Sequence, residues 1–295
     1  MTLVDVVVVS FNSRDHLRDC LTRLAGVSDV RVIVVDNAST DGTLETVADL
    51  PVTTIGREVN AGFAAGCNAG WQTGDAPYVL FLNPDASFDE TSLRLLVSRL
   101  EENPSLGAAA PRIEHPDGSL AWSQRRFPRL RSTFAQALFL HRVFPHASWS
   151  DEMVRHEARY EGAGSPEWVS GSCLLVRRSA LEELSGWDEG FFLYCEDIDL
   201  CYRLREAGYG IAYEPTALAR HDEGASAPRA KTLPVLAASR VRYARKHRSA
   251  PYAALERIGI GLGALTHVVV SRGGLADRAA HARALRVALS PRIGT

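Results

Sequence analysis

Short runs of β-branched residues alternate with amphipathic segments through the first third of the chain. Continuous apolar runs of this kind are typical of parallel strands buried on both faces. They predict strands at residues 4–9, 30–35, 52–55 and 78–82. Polar start signals between them predict helices at about residues 12–24, 43–50, 61–73 and 90–102. Strands that alternate with helices indicate an α/β doubly wound sheet, in which ligands bind at the carboxyl ends of the strands.

The pattern changes after Gly107. The sequence HPDG at residues 115–118 is a turn signal between two extended segments. A further strand is predicted at residues 169–177, and a helix at residues 198–207 that Gly208 would close.

Beyond Ser226 the chain is predicted to form basic helices, with breaks near Pro251 and at Gly273 and Gly274. We therefore predict two parts. The first is an α/β domain over residues 1–225, with halves at about 1–110 and 111–225, and the second is a basic, amphipathic helical extension over residues 226–295.

The composition is that of an ordinary soluble protein. The 295 residues carry a formal net charge of −2. The N-terminus, MTLVDVVVVS, lacks the basic start and the cleavage-like site of a signal peptide. The longest apolar stretch, residues 258–271, is too short and too rich in glycine to predict a membrane span. Five scattered cysteines favour reduced cytosolic thiols over metal ligation: Cys20, Cys67, Cys173, Cys195 and Cys201.

Charge is unevenly distributed along the chain. Residues 226–295 hold 13 Lys and Arg against two acids, a net charge near +11, which leaves about −13 for the remainder. This asymmetry predicts an anionic partner for the tail. No base-reading motif accompanies the charge, so we expect no nucleic acid; basic residues beside apolar helices favour an anionic membrane surface. The tail is expected to bind the cytoplasmic face of a membrane without crossing it. A helical hairpin packed on the core, or a homodimer contact, is the alternative.

Polar residues cluster where two predicted strands end. In VVDNASTDGT, Asp36 and Asn37 follow the second strand, where a carboxylate can accept hydrogen bonds from a pyrimidine N–H or a ribose hydroxyl. In LFLNPDA, Asn83 and Asp85 follow the fourth strand, and a carboxylate with an amide oxygen suits a hard cation such as Mg²⁺ or Mn²⁺. Turn and cap chemistry is the alternative at both places.

Three glycines are spaced four residues apart in NAGFAAGCNAG, residues 60–70. Gly62, Gly66 and Gly70 would line one face of a helix, because residues at this spacing lie above one another. Such a face permits close approach either to a nucleotide or to a neighbouring element. The spacing is not the GxGxxG of dinucleotide enzymes.

An acidic cluster begins a predicted helix in GWDEGFFLYCEDIDLCYRLREAGY. Glu196, Asp197 and Asp199 lie in its first turn, where the helix dipole favours acids whatever the function. Their position beside the aromatic run FFLY favours a sugar site, because a general base must lie near the acceptor hydroxyl. His221, in HDEGAS, could ligate a metal or contact a diphosphate, although a lone histidine is usually structural.

In their order and context these motifs resemble the family 2 glycosyltransferases with the GT-A fold, in particular the bacterial rhamnosyltransferase-like branch. The resemblance extends from about Val4 to Ser226 and is carried by VVVVSFNS, VVDNASTDGT, NAGFAAGCNAG, VLFLNPDA, PRIEHPDGSLAWSQRRFP, WVSGSCLLVRRSAL, GWDEGFFLYCEDIDLCYRLREAGY and HDEGAS. It implies a Rossmann-like, mostly parallel sheet flanked by helices. The basic tail is similar to membrane-associating C-termini in this branch.

The resemblance also implies roles for matching residues. The nucleotide-sugar donor would be bound by Ser10, Asn12, Asp36, Asn37, Asn60, Gly62, Phe63, Asn68 and Asn83, with Asp36 on the base. Asp85 would ligate the Mg²⁺ or Mn²⁺ that bridges the diphosphate, and His221 would complete that site. Many relatives carry Asp-x-Asp at the metal position, whereas the first acid is Asn83 here, which weakens the predicted site by one charge.

The implied reaction is an inverting sugar transfer. Asp197 would be the catalytic base with Glu196 as its neighbour, and Trp187, Phe192 and Tyr194 would face the acceptor. The donor would be a nucleoside diphosphate sugar, dTDP-rhamnose first, followed by UDP-hexose and UDP-N-acetylhexosamine. The acceptor would be a hydroxyl of a glycan or of a polyprenyl-diphosphate-linked saccharide in cell-envelope polysaccharide synthesis.

Two other functions fit parts of the pattern. A non-catalytic nucleotide-sugar-binding or lipid-carrier-docking protein would be favoured by the loss of Asp85 or Asp197, and both are present. A nucleotidyltransferase is expected to carry a Gly-rich, basic phosphate loop after the first strand, where this chain has SFNSRDH.

Overall fold

The structure is a computed structural model that describes residues 2–222, 229–270 and 274–290. The strands are β1 (Val4–Ser10), β2 (Val30–Asp36), β3 (Thr53–Gly56), β4 (Tyr78–Leu82), β5 (Ala86–Phe88), β6 (Leu106–Glu114), β7 (Gln124–Arg125), β8 (Trp168–Val169), β9 (Cys173–Arg177) and β10 (Gly210–His221). The α-helices are α1 (Leu17–Leu21), α2 (Phe63–Trp71), α3 (Glu90–Glu101), α4 (Leu130–Ala137), α5 (Leu140–Val143), α6 (Arg178–Glu183), α7 (Glu196–Glu206), α8 (Arg229–His247), α9 (Ala250–Val270) and α10 (Gly274–Leu289). Residues 223–226 of the HDEGAS motif and Gly273 of the predicted break lie outside the described residues.

One large sheet organises the molecule, with the strand order β3-β2-β1-β4-β9-β6-β10-β5. Strand β1 runs parallel to β2 and β4, and Ser10 lies opposite Asp36 at the carboxyl end of the first pair. Strand β9 is antiparallel to both β4 and β6, and β5 is antiparallel to β10. The predicted mostly parallel α/β sheet is confirmed, and β1 to β4 end along one edge. Strands β7 and β8 form a separate small sheet.

Alternate residues of β1 enter two different layers of the core, because successive side chains of a strand point to opposite faces. Val6 and Val8 join the layer that contains Leu21 of α1 and Leu96 of α3. Val7 joins the layer formed with α2 and α7. Every residue of β1 is buried, which explains why valines follow one another at residues 6–9 instead of alternating with polar residues.

The glycine face of α2 packs on the sheet. A Cβ built on Gly70 would lie 2.3 Å from Val7 Cγ1, and one on Gly66 would lie 2.5 Å from Val9 Cγ1. Both distances are far below van der Waals contact, so these two glycines allow the helix to approach β1. At Gly66 and Gly70, close packing is the correct interpretation of the spacing.

Several elements differ from the prediction. Strand β6 begins with Leu106 and Gly107 and continues through three alanines to Pro111, residue types of low β-propensity that hide a strand from sequence patterns. The predicted strand at residues 169–177 is divided between the end of β8 and β9. The helix predicted from residue 12 is regular only in α1, since Asn12 adopts a left-handed conformation with φ 52°. The turn at residues 115–118 is confirmed by a hydrogen bond from Gly118 N–H to His115 O of 2.9 Å.

The tail is helical, as predicted, and its helices α8, α9 and α10 pack on one another and, through α9, on α4. Helix α9 begins one residue before Pro251 and is longer than the apolar stretch suggests. Among the described residues it is the one helix long and apolar enough to cross a membrane, with a mean hydropathy of 1.4 and 28% of that window buried. Length and composition alone do not separate a spanning helix from one that packs on a core or lies on a membrane surface.

Candidate active site

Ser10 and Asp36 form the first part of the site, at the carboxyl ends of β1 and β2. The Ser10 hydroxyl donates to Asp36 Oδ1 at 2.9 Å, and the Ser39 N–H donates to Asp36 Oδ2 at 2.9 Å. Asp36 is only 5% exposed, so its carboxylate is oriented by these contacts. A carboxylate fixed in this way can accept a hydrogen bond from a base N–H or from a ribose hydroxyl.

Asn12 and Asn37 flank this carboxylate. Asn12 Oδ1 accepts the Thr40 N–H at 2.9 Å, which shapes the loop after β2 while the asparagine itself is exposed. The Asn37 amide donates to Gly62 O at 2.9 Å. Its Oδ1 is buried and has no hydrogen-bond partner among the described residues, so an acceptor beside Asp36 is available to a donor on a ligand.

Gly62 joins the start of α2 to the aromatic loop, which we define as residues 191–194. Gly62 has φ 95°, and its N–H donates to Asn60 Oδ1 at 3.0 Å. The next N–H, that of Phe63, donates to Phe192 O at 2.8 Å. A Cβ on Gly62 would lie 2.3 Å from the same carbonyl oxygen. Gly62 is thus needed for contact with the aromatic loop.

Asn68 and Trp187 are placed differently from their predicted roles. The Asn68 amide nitrogen donates to Trp187 O and to Glu189 Oε1 at 2.9 Å, and its oxygen accepts from Trp71 Nε1 and the Trp187 N–H, each at 2.9 Å. Every polar atom of this side chain is therefore used inside the protein. Trp187 is 2% exposed and stacks edge-on against Phe81 at 4.9 Å, which makes it a core residue without access to an acceptor.

Asp85 and His221 come together after β4 and at the end of β10. His221 Nε2 lies 3.0 Å from Asp85 Oδ1 and 3.2 Å from Asn83 Nδ2. The predicted metal residues are thus adjacent although 136 positions apart in the chain. No group of three or more His, Cys, Asp or Glu side chains that could hold a metal occurs within residues 2–222, 229–270 and 274–290. One carboxylate, one imidazole and an amide still fit a Mg²⁺ or Mn²⁺ that takes its remaining ligands from a diphosphate and water.

Asp197 lies next to that group through the loop before β9. The Gly171 N–H donates to Asp197 Oδ2 at 3.1 Å, and the Ser172 carbonyl accepts the Asn83 N–H at 2.8 Å. Asp197 Oδ1 accepts the Ile198 N–H at 2.8 Å, and the side chain is half-buried. Burial raises the pKa of Asp197 above its ordinary range, against the opposing effect of these N–H groups. The result is an oriented, accessible carboxylate with increased basicity.

Glu196 is a different kind of acid from its neighbour. It is 6% exposed, and its Oε2 has no hydrogen-bond partner among the described residues. Burial, followed by the charge of Asp197, raises the pKa of Glu196 well above its ordinary range. Burial therefore favours the protonated form of Glu196, whereas a base must be deprotonated. Tyr194, the last residue of the aromatic loop, has φ 67°, and Cys195 has φ 66°. These two residues form the turn that leads from the loop to the acids.

Phe192 and Tyr194 remain open to an acceptor, with 46% and 36% of their surface exposed. They lie beside the turn that leads into the acids. Exposed aromatic rings next to a half-buried carboxylate can stack on a sugar ring, and this part of the predicted acceptor surface is accessible.

Asp199 belongs to the protein framework. It is fully buried and accepts from His247 Nε2 at 2.7 Å, Lys246 Nζ at 2.6 Å and Arg203 Nε at 2.7 Å. Burial alone would raise its pKa, but the hydrogen bond from His247 and the charges of Arg203 and Lys246 lower the pKa of Asp199 to about 2. The third acid of the cluster therefore anchors α8 to α7.

The basic run of the tail contributes most of its cations to contacts inside the protein. Arg240 is half-buried and pairs with Glu152 at 2.7 Å and with Glu256 at 3.0 Å. Arg242 and Lys246 pair with Asp188, at 3.2 and 2.6 Å. In the same helix the Ser239 hydroxyl donates to Leu193 O of the aromatic loop at 2.8 Å. These charges, predicted to face a membrane, instead hold α8 against the segment that carries the acids.

Sequence reasoning gave no role to Gly171 or Arg125, although both lie within stretches that carry the family resemblance. The Arg125 guanidinium lies 5.6 Å from the centre of the Trp168 ring, and its Nε is buried without a hydrogen-bond partner in the described part of the chain. Its charge also acts to lower the pKa of Asp197, after burial and the backbone N–H groups. The pair of arginines in SQRRFP was the available sequence signal for a functional role of Arg125.

The groups follow the strand order along one edge of the sheet. Asp36 ends β2, Ser10 ends β1, and Asp85 follows β4; Gly171, which holds Asp197, comes just before the antiparallel β9. The parts of a nucleotide sugar follow one another in the same sequence: a base at Asp36, a diphosphate at Asp85 and a sugar at Asp197 would match the order of these residues. The fold and this site define the class as the GT-A nucleotide-sugar-dependent glycosyltransferases.

Comparison with known proteins agrees. The family described as "Glycosyl transferase family 2" matches residues 5–185, and the chain belongs to that family. It is 34% identical over 243 residues, 77% of this chain and 78% of the relative, to the N-acetylglucosaminyl-diphospho-decaprenol L-rhamnosyltransferase of Mycobacterium tuberculosis. It is 31% identical to the rhamnosyltransferase WbbL of Escherichia coli, over 51% of this chain and 54% of that protein. The predicted family and the likeness to rhamnosyltransferases are confirmed.

Solved structures show the same fold. A mannosyltransferase from Pyrobaculum calidifontis, in complex with GDP-Man and Mn²⁺, matches with a TM-score of 0.57 at 18% identity, over 98% of this chain and 81% of that one. TarS residues 1–349 from S. aureus match with a TM-score of 0.53 at 14% identity, over 97% and 89%. At these identities the likeness concerns the fold alone, and the GT-A prediction is confirmed.

Proposed function

We propose that this glycosyltransferase moves a sugar, rhamnose first, from a nucleoside diphosphate to a hydroxyl of a polyprenyl-diphosphate-linked saccharide in cell-envelope synthesis. The names of the mycobacterial and Escherichia coli relatives support the sugar, and the mycobacterial name supports the acceptor. The observation that carries the proposal is Asp197, a half-buried carboxylate oriented by the Gly171 N–H beside exposed aromatic rings. UDP-hexose and UDP-N-acetylhexosamine are the next donors to test.

The reaction is a single displacement with inversion. Asp197 takes the proton of the acceptor hydroxyl, whose oxygen forms a bond to the anomeric carbon while the bond from that carbon to the diphosphate oxygen breaks. The nucleoside diphosphate leaves with the electron pair. One base suffices for this step, whereas glycoside hydrolysis needs two carboxyl groups on either side of the bond. Glu196 and Asp197 are adjacent in one helical turn, and only Asp197 is accessible.

The donor occupies the strand ends. Asp36 accepts hydrogen bonds from the base or ribose, and Asn37 Oδ1 is a second acceptor beside it. Asp85 and His221 would hold a Mg²⁺ or Mn²⁺ beside the diphosphate, and such an ion would neutralise charge on the leaving group. Arg125 adds positive charge on the acceptor side of the same cleft.

We also propose that the enzyme lies on the cytoplasmic face of the membrane as a peripheral protein. The support is an exposed apolar stripe on α9, in which Leu255, Ile258 and Leu265 are 46%, 56% and 48% exposed. Because the cations of α8 are largely paired within the protein, apolar contact rather than the basic run would provide most of the attachment.

The test is a transfer assay with the full chain, a panel of nucleotide sugars and N-acetylglucosamine diphosphate carrying a short isoprenoid tail. The expected product forms from dTDP-rhamnose and has the anomeric configuration opposite to that of the donor, measured by NMR. The Asp197→Asn variant is the matched control and should bind donor without transfer. A product with retained configuration would refute the mechanism, and bound nucleotide sugar without any transfer would favour a binding protein.

A further inference from the structure

Three arginines line an open pocket between the start of α4 and the start of α9. Arg129, Arg131 and Arg248, with Leu130 and Tyr252, surround a volume of about 570 Å³. The pocket lies at the start of α4, where the Leu130 N–H donates to the Tyr252 hydroxyl at 3.0 Å. Helix α4 and the start of α9 therefore form its two walls.

The positive charge of this pocket is only partly neutralised. Arg129 pairs with Glu167 at 2.8 Å. Arg131 is exposed, and in residues 2–222, 229–270 and 274–290 no carboxylate forms an ion pair with Arg131 or Arg248. The Arg248 guanidinium lies 5.7 Å from the centre of the Tyr252 ring, and its Nε is buried without a hydrogen-bond partner within those ranges. Guanidinium groups bind phosphate oxygens in bidentate geometry, so this pocket suits a phosphorylated ligand.

An apolar stripe leads away from the pocket along α9. Its members recur at intervals of three and four residues after Tyr252, a spacing that places them on one helix face. The α9 stripe consists of Leu255, Ile258, Leu262, Leu265 and Val269. All five are exposed or half-buried, and Val269 is 69% exposed. A charged head in the pocket would thus continue into an apolar chain on the stripe.

The pocket is also connected to the catalytic acid. Arg248 packs on the ring of Tyr202 at 5.3 Å, and Tyr202 belongs to α7, which begins with the acids. On the other side, Arg129 lies only four positions after Arg125, whose charge acts on Asp197. Four residues of chain span at most about 13 Å. This short connection keeps the pocket close to the charge that acts on Asp197, so one acceptor molecule can contact both.

We propose that Arg129, Arg131 and Arg248 bind the diphosphate of the lipid-linked acceptor, and that its isoprenoid chain lies along the α9 stripe. This inference rests on the proposed function, because it assigns the part of the acceptor that does not react. It makes acceptor recognition depend on the helical extension, since Arg248 and the stripe both belong to it.

The experiment compares two acceptors with the full-length protein. One is N-acetylglucosamine diphosphate with a citronellyl tail; the other is octyl N-acetylglucosaminide, which has no phosphate. The variant is Arg131→Gln with Arg248→Gln, and the matched control is Arg245→Gln, which removes an exposed guanidinium of α8 outside the pocket. Hydrogen bonds to charged groups contribute about 1.5–3 kcal/mol each, so the double variant should raise KM for the diphosphate acceptor by at least about tenfold. Transfer to the octyl glycoside and KM for the nucleotide sugar should not change.

Binding of citronellyl diphosphate, measured by calorimetry, gives a readout without catalysis and should weaken in the double variant only. Equal KM values for wild type and double variant would overturn the inference, as would an equal loss with both acceptors. If the double variant loses binding to phosphatidylglycerol vesicles but keeps its acceptor KM, the pocket serves phospholipid headgroups and the inference is wrong. If no acceptor is glycosylated while arginine-dependent diphosphate binding persists, the proposed function fails and the pocket assignment stands.

Discussion

Replacing Asp199 with asparagine tests the claim that the third acid of the cluster is a structural anchor. The carboxylate is fully buried and accepts from the His247 ring and from the Lys246 and Arg203 cations, at 2.6–2.7 Å. Asparagine keeps the size of the side chain and removes the charge. The Lys246 and Arg203 charges are then left beside a neutral amide, and both ion pairs are lost, including the one with Lys246 that joins α7 to α8.

The expected magnitude follows from the pKa of Asp199, which lies at about 2 in the folded protein against an ordinary 3.8. That difference corresponds to roughly 2.5 kcal/mol of the free energy of unfolding at neutral pH. Removal of one partner from a buried ion pair typically costs about 3–5 kcal/mol. We expect Asp199→Asn to destabilise the protein by about 3 kcal/mol at pH 7.

The direction in which pH changes this stability difference also follows from the lowered pKa of Asp199. A lowered folded-state pKa contributes stability above the ordinary value, and this contribution disappears as pH falls from about 4 to 2. The difference between wild type and Asp199→Asn should therefore shrink over that window in urea denaturation. Asp49→Asn is the control, because hydrogen bonding from Arg18 also lowers the pKa of Asp49 to about 2 while its side chain is 66% exposed and screened by water. Equal denaturation midpoints for Asp199→Asn and wild type at pH 7, or a difference that does not vary with pH, would contradict the reasoning.

Three further predictions concern the cleft. Asp197→Asn should lower turnover by ~10²–10⁴-fold with donor binding intact, whereas Glu196→Gln, which changes a buried side chain that is only 6% exposed, should keep turnover within a few-fold; steady-state kinetics that give the reverse order would exchange the two roles. Exhaustive chelation should reduce transfer and Mg²⁺ or Mn²⁺ should restore it, with Asp85→Asn blunting the response; full activity in EDTA would remove the metal from the scheme. Gly62→Ala should raise KM for the donor and lower thermal stability more than Gly26→Ala, because both have φ above 90° but only Gly62 has a neighbour within 4 Å of an added Cβ; equal effects would assign the cost to backbone strain alone.

The fold was predictable where each element carries its own signal. The centres of β1 and β2 are buried on both faces, so apolar residues follow one another without a break at residues 6–9 and 32–35. Strand β6 could not be found in this way because its alanines and its proline fit a crowded place in the sheet, where a Cβ on Gly107 would lie 2.8 Å from Tyr209 Cβ. That constraint comes from a partner about 100 residues further along the chain, which no local pattern contains.

The residues of the candidate site also fall into those that local sequence patterns predict and those that depend on distant partners. Asp36 and Asp85 could be predicted to lie near each other because parallel strands end along one edge of a sheet. The behaviour of Asn68, Trp187 and Asp199 could not, because it depends on which distant groups satisfy each polar atom. Asn68 and Asp199 carry the residue types of a ligand site, but their partners come from the segment around Trp187 and from α8, respectively.

The tail illustrates why net charge alone does not identify a partner. Its charge near +11 predicts an anionic surface, yet the described residues place Arg240, Arg242 and Lys246 against Glu152, Asp188 and Asp199 of the preceding domain, which carries the opposite charge. A chain whose two parts carry opposite charges can neutralise itself, and here it does so around α7, the helix that begins with the acidic cluster. Deletion of the tail would therefore remove the support of the helix that carries Asp197 as well as any lipid contact. Loss of both sugar transfer and lipid binding on truncation would not separate these two roles of the tail. Among the described residues the exposed face of α9 is apolar, and Arg129, Arg131 and Arg248 beside it surround one pocket rather than forming a diffuse patch.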